Sequence, residues 1–316
     1  MIAVHLEGGR VEVRQSPKPR RKPGTALLRL RVGGICNTDL ELMRGYYDFS
    51  GRPGHEFVAE VVEADDRNWI GKRVVGEINL ACGNCDWCRR GLGRHCPRRT
   101  VLGIVKHPGA FAEFLTLPVE NLREVPRGMA DERAVFTEPV AAACEILEQC
   151  SIAQGDEVAV LGDGKLGLLI SQTLAIHGAK VHQFGRHRDK LKIAEKAGVT
   201  GEIAKKLPAS RYRWVVDATG SAEGLASAVS MTQPRGTVVC KSTVHGKVSI
   251  DMAPVIVNEI ALVGSRCGRF EPALKLLAAN KINTADMIVG RLPLSEAPRA
   301  FTFASRKGIL KVLLTS

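Results

Sequence analysis

Two patterns of apolar and polar positions divide the chain. Up to about Pro126, short alternating or apolar runs such as "ALLRLRV", "EFVAEVVEA" and "KRVVGEI" are cut by Gly and Pro, which predicts a compact antiparallel barrel. From about Ala134 the period changes, and helical stretches such as "EPVAAACEILEQC" alternate with the short runs "EVAVLG", "KVHQFG", "WVVDATG", "GTVVC" and "IALVGS". Strands alternating with helices predict βαβ units and a parallel sheet covered on both faces. The last fifty or so residues, with "LPLSEAPRAFTFAS" and "GILKVLL", predict a helix, a loop and a terminal strand. That is too little for an independent core, so the chain's end is expected to rejoin the first domain. The expected division is 1–138 with 265–316, and 139–264. No internal repeat or low-complexity tract is present.

Composition changes this picture only in part. A chain of 316 residues, 45% hydrophobic, has room for two cores. No window approaches eighteen uninterrupted apolar residues and "MIAVHLEGGR" is no secretory leader, so a cytoplasmic protein without a membrane partner is expected. The formal charge of +12 raises the question of nucleic acid. The basic residues are not interleaved with aromatics, however, and no nucleic-acid partner is expected.

Nine cysteines without a secretion signal point to metal or thiol chemistry rather than a disulfide framework. Four of them, Cys82, Cys85, Cys88 and Cys96, fall in "CGNCDWCRRGLGRHC". Intervals of two, two and seven residues let one folded-back loop, about 80–98, offer four thiolates to a tetrahedral Zn²⁺. Four sulfurs close the shell, so that site is structural. A second set, Cys36, Thr38, Asp39, His55 and Glu56, stands in "GGICNTDLELMRGYYDFSGRPGHEFVAEV". Cysteine, histidine and carboxylate can together hold a catalytic zinc with one position open. Each alone has an ordinary alternative: a small buried thiol, a hydrogen-bonded core histidine, a surface charge. Spacing leaves the two readings open.

In "VAVLGDGKLGLLISQTLAIHGAKVHQFG" an apolar strand runs into Gly162, Gly164 and Gly167, and a helical stretch follows. Between strand and helix this spacing is a dinucleotide fingerprint: tight turn, close approach of a pyrophosphate, close helix–strand packing. The pyrophosphate would sit on the helix N-terminus. Lys165 and Leu166 inside the run, and Thr219 in "VVDATGS", join it as candidate cofactor contacts.

Taken in order, "GICNTDLE", "GHEFVAEVVE", the four-cysteine loop, "LGIVKHPGAFAEFLTLPVENLREVP", "EPVAAA", "LGDGKLGLL" and "VVDATGS" resemble the zinc-dependent medium-chain alcohol dehydrogenase family along nearly the whole chain. The resemblance implies an α/β protein: a GroES-like catalytic domain, partly β-barrel, joined to a Rossmann domain, with a homodimer or homotetramer as the usual assembly. It implies Cys36, His55 and Glu56 as catalytic zinc ligands, and Glu138 as the carboxylate that faces the metal directly or through water in the polyol and sugar dehydrogenases. Thr38 then corresponds to the hydroxyl that holds the substrate oxygen and starts a proton relay, and Asp39 to the acid that orients the ligating histidine. The relay's next member departs from the family: Glu41 stands where many simple alcohol dehydrogenases have histidine, so either Glu41 or water continues it. Two zinc ions per chain follow, one catalytic and one structural. The substrate implied is a secondary alcohol, polyol or sugar, interconverted with its carbonyl. Tyr46 and Tyr47 are candidates to line its pocket or to pack on the barrel. A simple alcohol or aldehyde reductase, or a regulatory NAD(P)H-binding protein of the same fold, is the alternative.

Cofactor choice turns on one position. In this fold the second strand ends in an acid that binds the adenosine ribose of NAD. Here "KVHQF" is followed by Gly185, then Arg186, His187 and Arg188. A glycine leaves room for a 2′-phosphate, and an arginine fork can grip it. NADP(H) is therefore expected over NAD(H), with Arg186 the foremost contact.

Overall fold

The computed structural model describes residues 1–242 and 247–316. The chain divides into two compact units, 1–138 with 288–316, and 139–287.

The first unit is built on a seven-stranded sheet with the strand Thr25–Gly34 near its middle. That strand pairs antiparallel with Glu56–Glu63 and with Phe114–Pro118. Its side chains alternate about the sheet, and Leu27, Leu28, Leu30, Val58, Val61 and Leu115 are buried together in this unit. Each such side chain contributes roughly 1.5–3 kcal/mol of burial free energy. The final strand, Lys311–Thr315, also pairs antiparallel with Thr25–Gly34, placing Leu313 opposite Gly34. The end of the chain thus lies beside the residues that lead into Cys36.

The second unit holds six parallel strands. Across the sheet they run Thr200–Ile203, Lys180–Gly185, Glu157–Leu161, Tyr212–Asp217, Thr232–Cys240, Ala261–Gly264. In chain order this is 3-2-1-4-5-6, the doubly wound arrangement with its switch point beside the first strand. Leu161 stands opposite Phe184 on one side and Asp217 on the other, so the loops after these three strands emerge together. Ala159, Leu161, Phe184, Tyr212, Val215 and Val238 form part of the core beneath them.

The segment 265–287, expected with the first domain, belongs to the second unit. Its helix Phe270–Ala278 buries Phe270, Ala273, Leu274 and Leu277. Arg269 Nε reaches Glu148 at 3.0 Å and the Asn283 amide donates to Gln172 Oε1 at 2.7 Å, both partners within the second unit. The return to the first unit starts at Ile288. Among the described residues, no helix is long and apolar enough to cross a membrane.

Candidate functional site

The first candidate centre forms where the strand Thr25–Gly34 turns into the helix Asn37–Met43. Cys36 is the N-cap residue, and its backbone N–H donates to Asp39 Oδ2 at 2.9 Å, which pins the turn. His55 and Glu56 arrive at the start of the neighbouring strand. One ligand atom from each of Cys36, His55 and Glu56 lies within 4.8 Å of the others. His55 and Glu56 are 3% and 1% exposed, and Glu56 Oε1 has no hydrogen-bond partner among the described residues. A buried carboxylate oxygen left unmet is costly unless something positive reaches it. A zinc ion at these three donors would meet that need, so the residues fit a metal.

Asp39 is fully buried, accepts the Gly54 N–H at 3.1 Å on Oδ1, and holds the same oxygen 3.4 Å from His55 Nδ1. At that distance His55 Nδ1 makes no formed hydrogen bond among the described residues. Burial opposes charge on His55, but Asp39 and Cys36 outweigh it and hold the ring well above the usual imidazole range. The Thr38 hydroxyl lies 3.8 Å from Cys36 Sγ.

Sequence reasoning missed Lys311. Only 1% exposed, it donates from Nζ to Glu56 Oε2 and sits 5.5 Å from the centre of the Phe136 ring. Burial works against its charge, yet Glu56 and Cys36 keep its pKa above the ordinary lysine value. A lone lysine inside the apolar strand "GILKVLL" was the available signal.

Glu138, half-buried on the first turn of the helix Thr137–Gln149, is not among the three clustered donors. Glu41 is paired with Arg44 at 2.5 Å. The Tyr46 and Tyr47 rings contact each other at a tilt of 42°, with centroids 4.1 Å apart, and Tyr47 is 61% exposed.

The four-cysteine loop closes on itself. Sulfur separations are 3.4 Å for Cys85–Cys88, 3.5 Å for Cys96–Cys82, 3.7 Å for Cys85–Cys96 and 3.9 Å for Cys82–Cys88. A tetrahedron of sulfurs about 2.3 Å from a central zinc has edges of about 3.8 Å. The Asn84 amide, with burial opposing it, brings the Cys82 thiol down to about 6, towards the thiolate that a metal needs.

In the second unit, Gly164 caps the helix Lys165–His177. A Cβ on Gly167 would lie 2.2 Å from the Gly162 carbonyl oxygen, whereas one on Gly164 would meet nothing within 4 Å. The third glycine thus permits close packing, and the second faces open space where a phosphate can approach. The Ala218 amide donates to Leu161 O at 2.9 Å, which brings Thr219 alongside. Thr219 itself is tied to Asp217 Oδ1 through its hydroxyl at 2.7 Å.

The basic run divides three ways. Arg188 turns to Glu195, at 2.6 and 3.1 Å, and to the Gly201 carbonyl at 3.2 Å. The His187 ring contacts Asp163 Oδ2 at 3.0 Å. Arg186 is exposed, and its guanidinium has no partner among the described residues. The room expected beside Gly185 is filled: a Cβ there would fall 2.6 Å from that of Asp163.

Comparisons with known proteins agree with this layout. A model of the alcohol dehydrogenase GroES-like domain matches residues 22–127, and one of zinc-binding dehydrogenases matches 166–279. A sorbitol dehydrogenase from Halalkalibacterium halodurans is 28% identical over 330 residues, spanning 97% of this chain and 96% of the relative. An alcohol dehydrogenase from Thermus sp. ATN1 superposes with a TM-score of 0.90 at 31% identity, covering 100% of this chain and 99% of that one. A candidate zinc-binding dehydrogenase from Sinorhizobium meliloti 1021, solved with NADP, gives a TM-score of 0.89 at 30% identity over 100% and 99% of the two chains.

Proposed function

This chain belongs to the zinc-dependent medium-chain alcohol dehydrogenase family, and from that premise we propose that it transfers a hydride between NADP(H) and a secondary alcohol, polyol or sugar-type substrate. The observation that carries the reading is the buried trio Cys36, His55 and Glu56 with one carboxylate oxygen unmet. In this reading Cys36, His55 and Glu56 hold the catalytic zinc, and Cys82, Cys85, Cys88 and Cys96 hold a structural one. Zinc held there would supply a Lewis acid for the substrate oxygen, and a bound nicotinamide would supply the hydride acceptor or donor.

The protein's own groups do the rest. Asp39 stands beside the His55 ring, and Lys311 holds one oxygen of Glu56. The Thr38 hydroxyl accepts the proton of the substrate alcohol as the carbinol carbon gives up hydride, and passes its own proton on. Glu41, already bound to Arg44, leaves water to take the proton next. Glu138 faces the same metal, directly or through its water. A polar substrate is supported by the carboxylate among the ligands and by the likeness to a sorbitol dehydrogenase.

NADP(H) is supported by two things: an exposed Arg186 whose guanidinium has no partner among the described residues, and a relative solved with NADP. A homodimer or homotetramer is supported by the strand Ala261–Gly264, at the edge of its sheet, with Ile256 and Val257 nearby 70% and 79% exposed.

The test is a screen of polyols, sugars, secondary alcohols and ketones with both cofactors on zinc-loaded protein. We expect turnover abolished by Cys36→Ser, and a kcat/KM ratio favouring NADPH that Arg186→Asp reverses. A wild-type preference for NADH overturns the cofactor assignment, and no turnover of any compound overturns the activity.

A further inference from the structure

We infer that Asp163, the residue between the first two glycines of the Gly-rich loop, is a positioning residue for cofactor choice that takes the space of the missing strand-end acid and presents Arg186. The inference rests on the NADP(H) reading above and adds to it the device that sets the contact.

The acid expected after the second strand would project from position 185. A Cβ built on Gly185 would lie 2.6 Å from Asp163 Cβ, 2.7 Å from its Oδ2 and 2.9 Å from its Cγ. The two positions therefore compete for one volume, and in this chain the loop residue fills it. Asp163 is 8% exposed.

What the carboxylate does there differs from what a strand-end acid does. Its Oδ2 accepts the Arg186 backbone N–H at 2.7 Å and the His187 backbone N–H at 2.6 Å, and lies 3.0 Å from His187 Nδ1. The two backbone donors already occupy the two lone pairs of this oxygen, so it has none left for a ribose hydroxyl. The backbone is thereby clamped at two consecutive residues between the strand and the helix Arg188–Glu195. With Arg188 held by Glu195 and the His187 ring held by Asp163, Arg186 is the one side chain of the basic run left for an incoming anion. A fixed backbone lowers the ordering cost of closing a guanidinium on phosphate, so the clamp should act on NADPH and leave NADH largely alone.

Binding titrations of NADPH and NADH, followed by quenching of protein fluorescence, test this on the wild type, Asp163→Ala and Asp163→Asn. The ratio of the two dissociation constants is the readout, because general damage to the loop weakens both cofactors while loss of positioning weakens only NADPH. Asp163→Ala should lower the preference for NADPH by about tenfold, the scale of a lost charge-assisted hydrogen bond. Asp163→Asn keeps an acceptor for the two backbone N–H groups and should restore most of the preference. A wild type that binds both cofactors alike overturns the NADP(H) reading and this inference with it. A wild-type preference that survives Asp163→Ala overturns this inference alone. So does an Asp163→Ala chain that binds NADPH more tightly, which would make the carboxylate a repulsive charge, or one that weakens both cofactors equally, which would make it a general support of the loop or a ribose ligand and not a selector of NADPH.

Discussion

Lys311 and Glu56 are 255 positions apart in sequence, and their side chains meet as an ion pair in which each is 1% exposed. The antiparallel pairing of Lys311–Thr315 with Thr25–Gly34 makes the contact available. Gly34 keeps room for it, since a Cβ there would fall 2.6 Å from Glu56 Oε2.

Lys311→Met should expose how much the pair depends on metal. Removing one partner of a buried pair costs about 3–5 kcal/mol, because the other charge is left uncompensated. Zinc at Glu56 offsets part of that, so the loss should be larger in chelator-treated protein than in zinc-loaded protein. Urea unfolding under both conditions measures the difference; equal losses would mean that the metal does not touch Glu56.

Cys96→Ser should remove one zinc and leave the other. Cys96 is fully buried, and its sulfur lies 3.5 and 3.7 Å from those of Cys82 and Cys85. Elemental analysis should fall from two zinc ions per chain to one, and the loop 80–98 should become sensitive to protease. Two zinc ions retained would break the assignment.

Thr38→Val and Glu41→Gln separate the ends of the proton path. Losing the hydroxyl beside Cys36 should reduce kcat by about 10²–10⁴-fold, the range of general acid–base assistance. Glu41→Gln should change kcat less than about threefold, a surface-type effect on a residue paired with Arg44. A large loss in Glu41→Gln would return the relay to that carboxylate.

What could be read from the chain follows from how local each feature is. The four-cysteine loop and the strand, glycine run and helix around Gly162 are contiguous, so spacing and period reveal them. The ligand trio needed resemblance, because His55 and Glu56 reach Cys36 only through strand pairing. Lys311 left one faint signal, a lone lysine in an apolar strand, and Asp163 left none. Each looks ordinary in its own segment, a lysine in a terminal strand and an aspartate in a turn, and gains its meaning from a partner on another strand. The boundary at 265 was misplaced for the same reason, since contacts to Glu148 and Gln172 hold 265–287 in the second unit.

The competition between positions 163 and 185 predicts a strongly non-additive pair. Gly185→Asp alone sets a side chain against that of Asp163 and should weaken both cofactors and the fold, in the 1–3 kcal/mol range typical of overpacking. Asp163→Gly together with Gly185→Asp clears the space and supplies a free strand-end acid, so stability should recover and NADH become the tighter ligand. A thermal-unfolding and binding cycle over the four proteins checks this; additive effects would show that the two residues do not share the volume.

Assembly should depend on the apolar face at the edge of the second sheet. Among the described residues, the strand Ala261–Gly264 pairs on one side only, with Thr232–Cys240. Leu262 on that strand is 39% exposed, and Met252, Ile256 and Val257 just before it are 43%, 70% and 79% exposed. An unpaired edge beside exposed aliphatic side chains invites a second chain to continue the sheet and cover them. Val257→Glu places a charge where that contact would exclude water, and should cost several kcal/mol of association while leaving the monomer's fold intact, since the side chain is already in solvent. Analytical ultracentrifugation of the wild type should give a mass of two or four chains, and the variant should shift towards one. A wild-type mass of one chain, or a variant mass unchanged from the oligomer, would remove this face from the assembly.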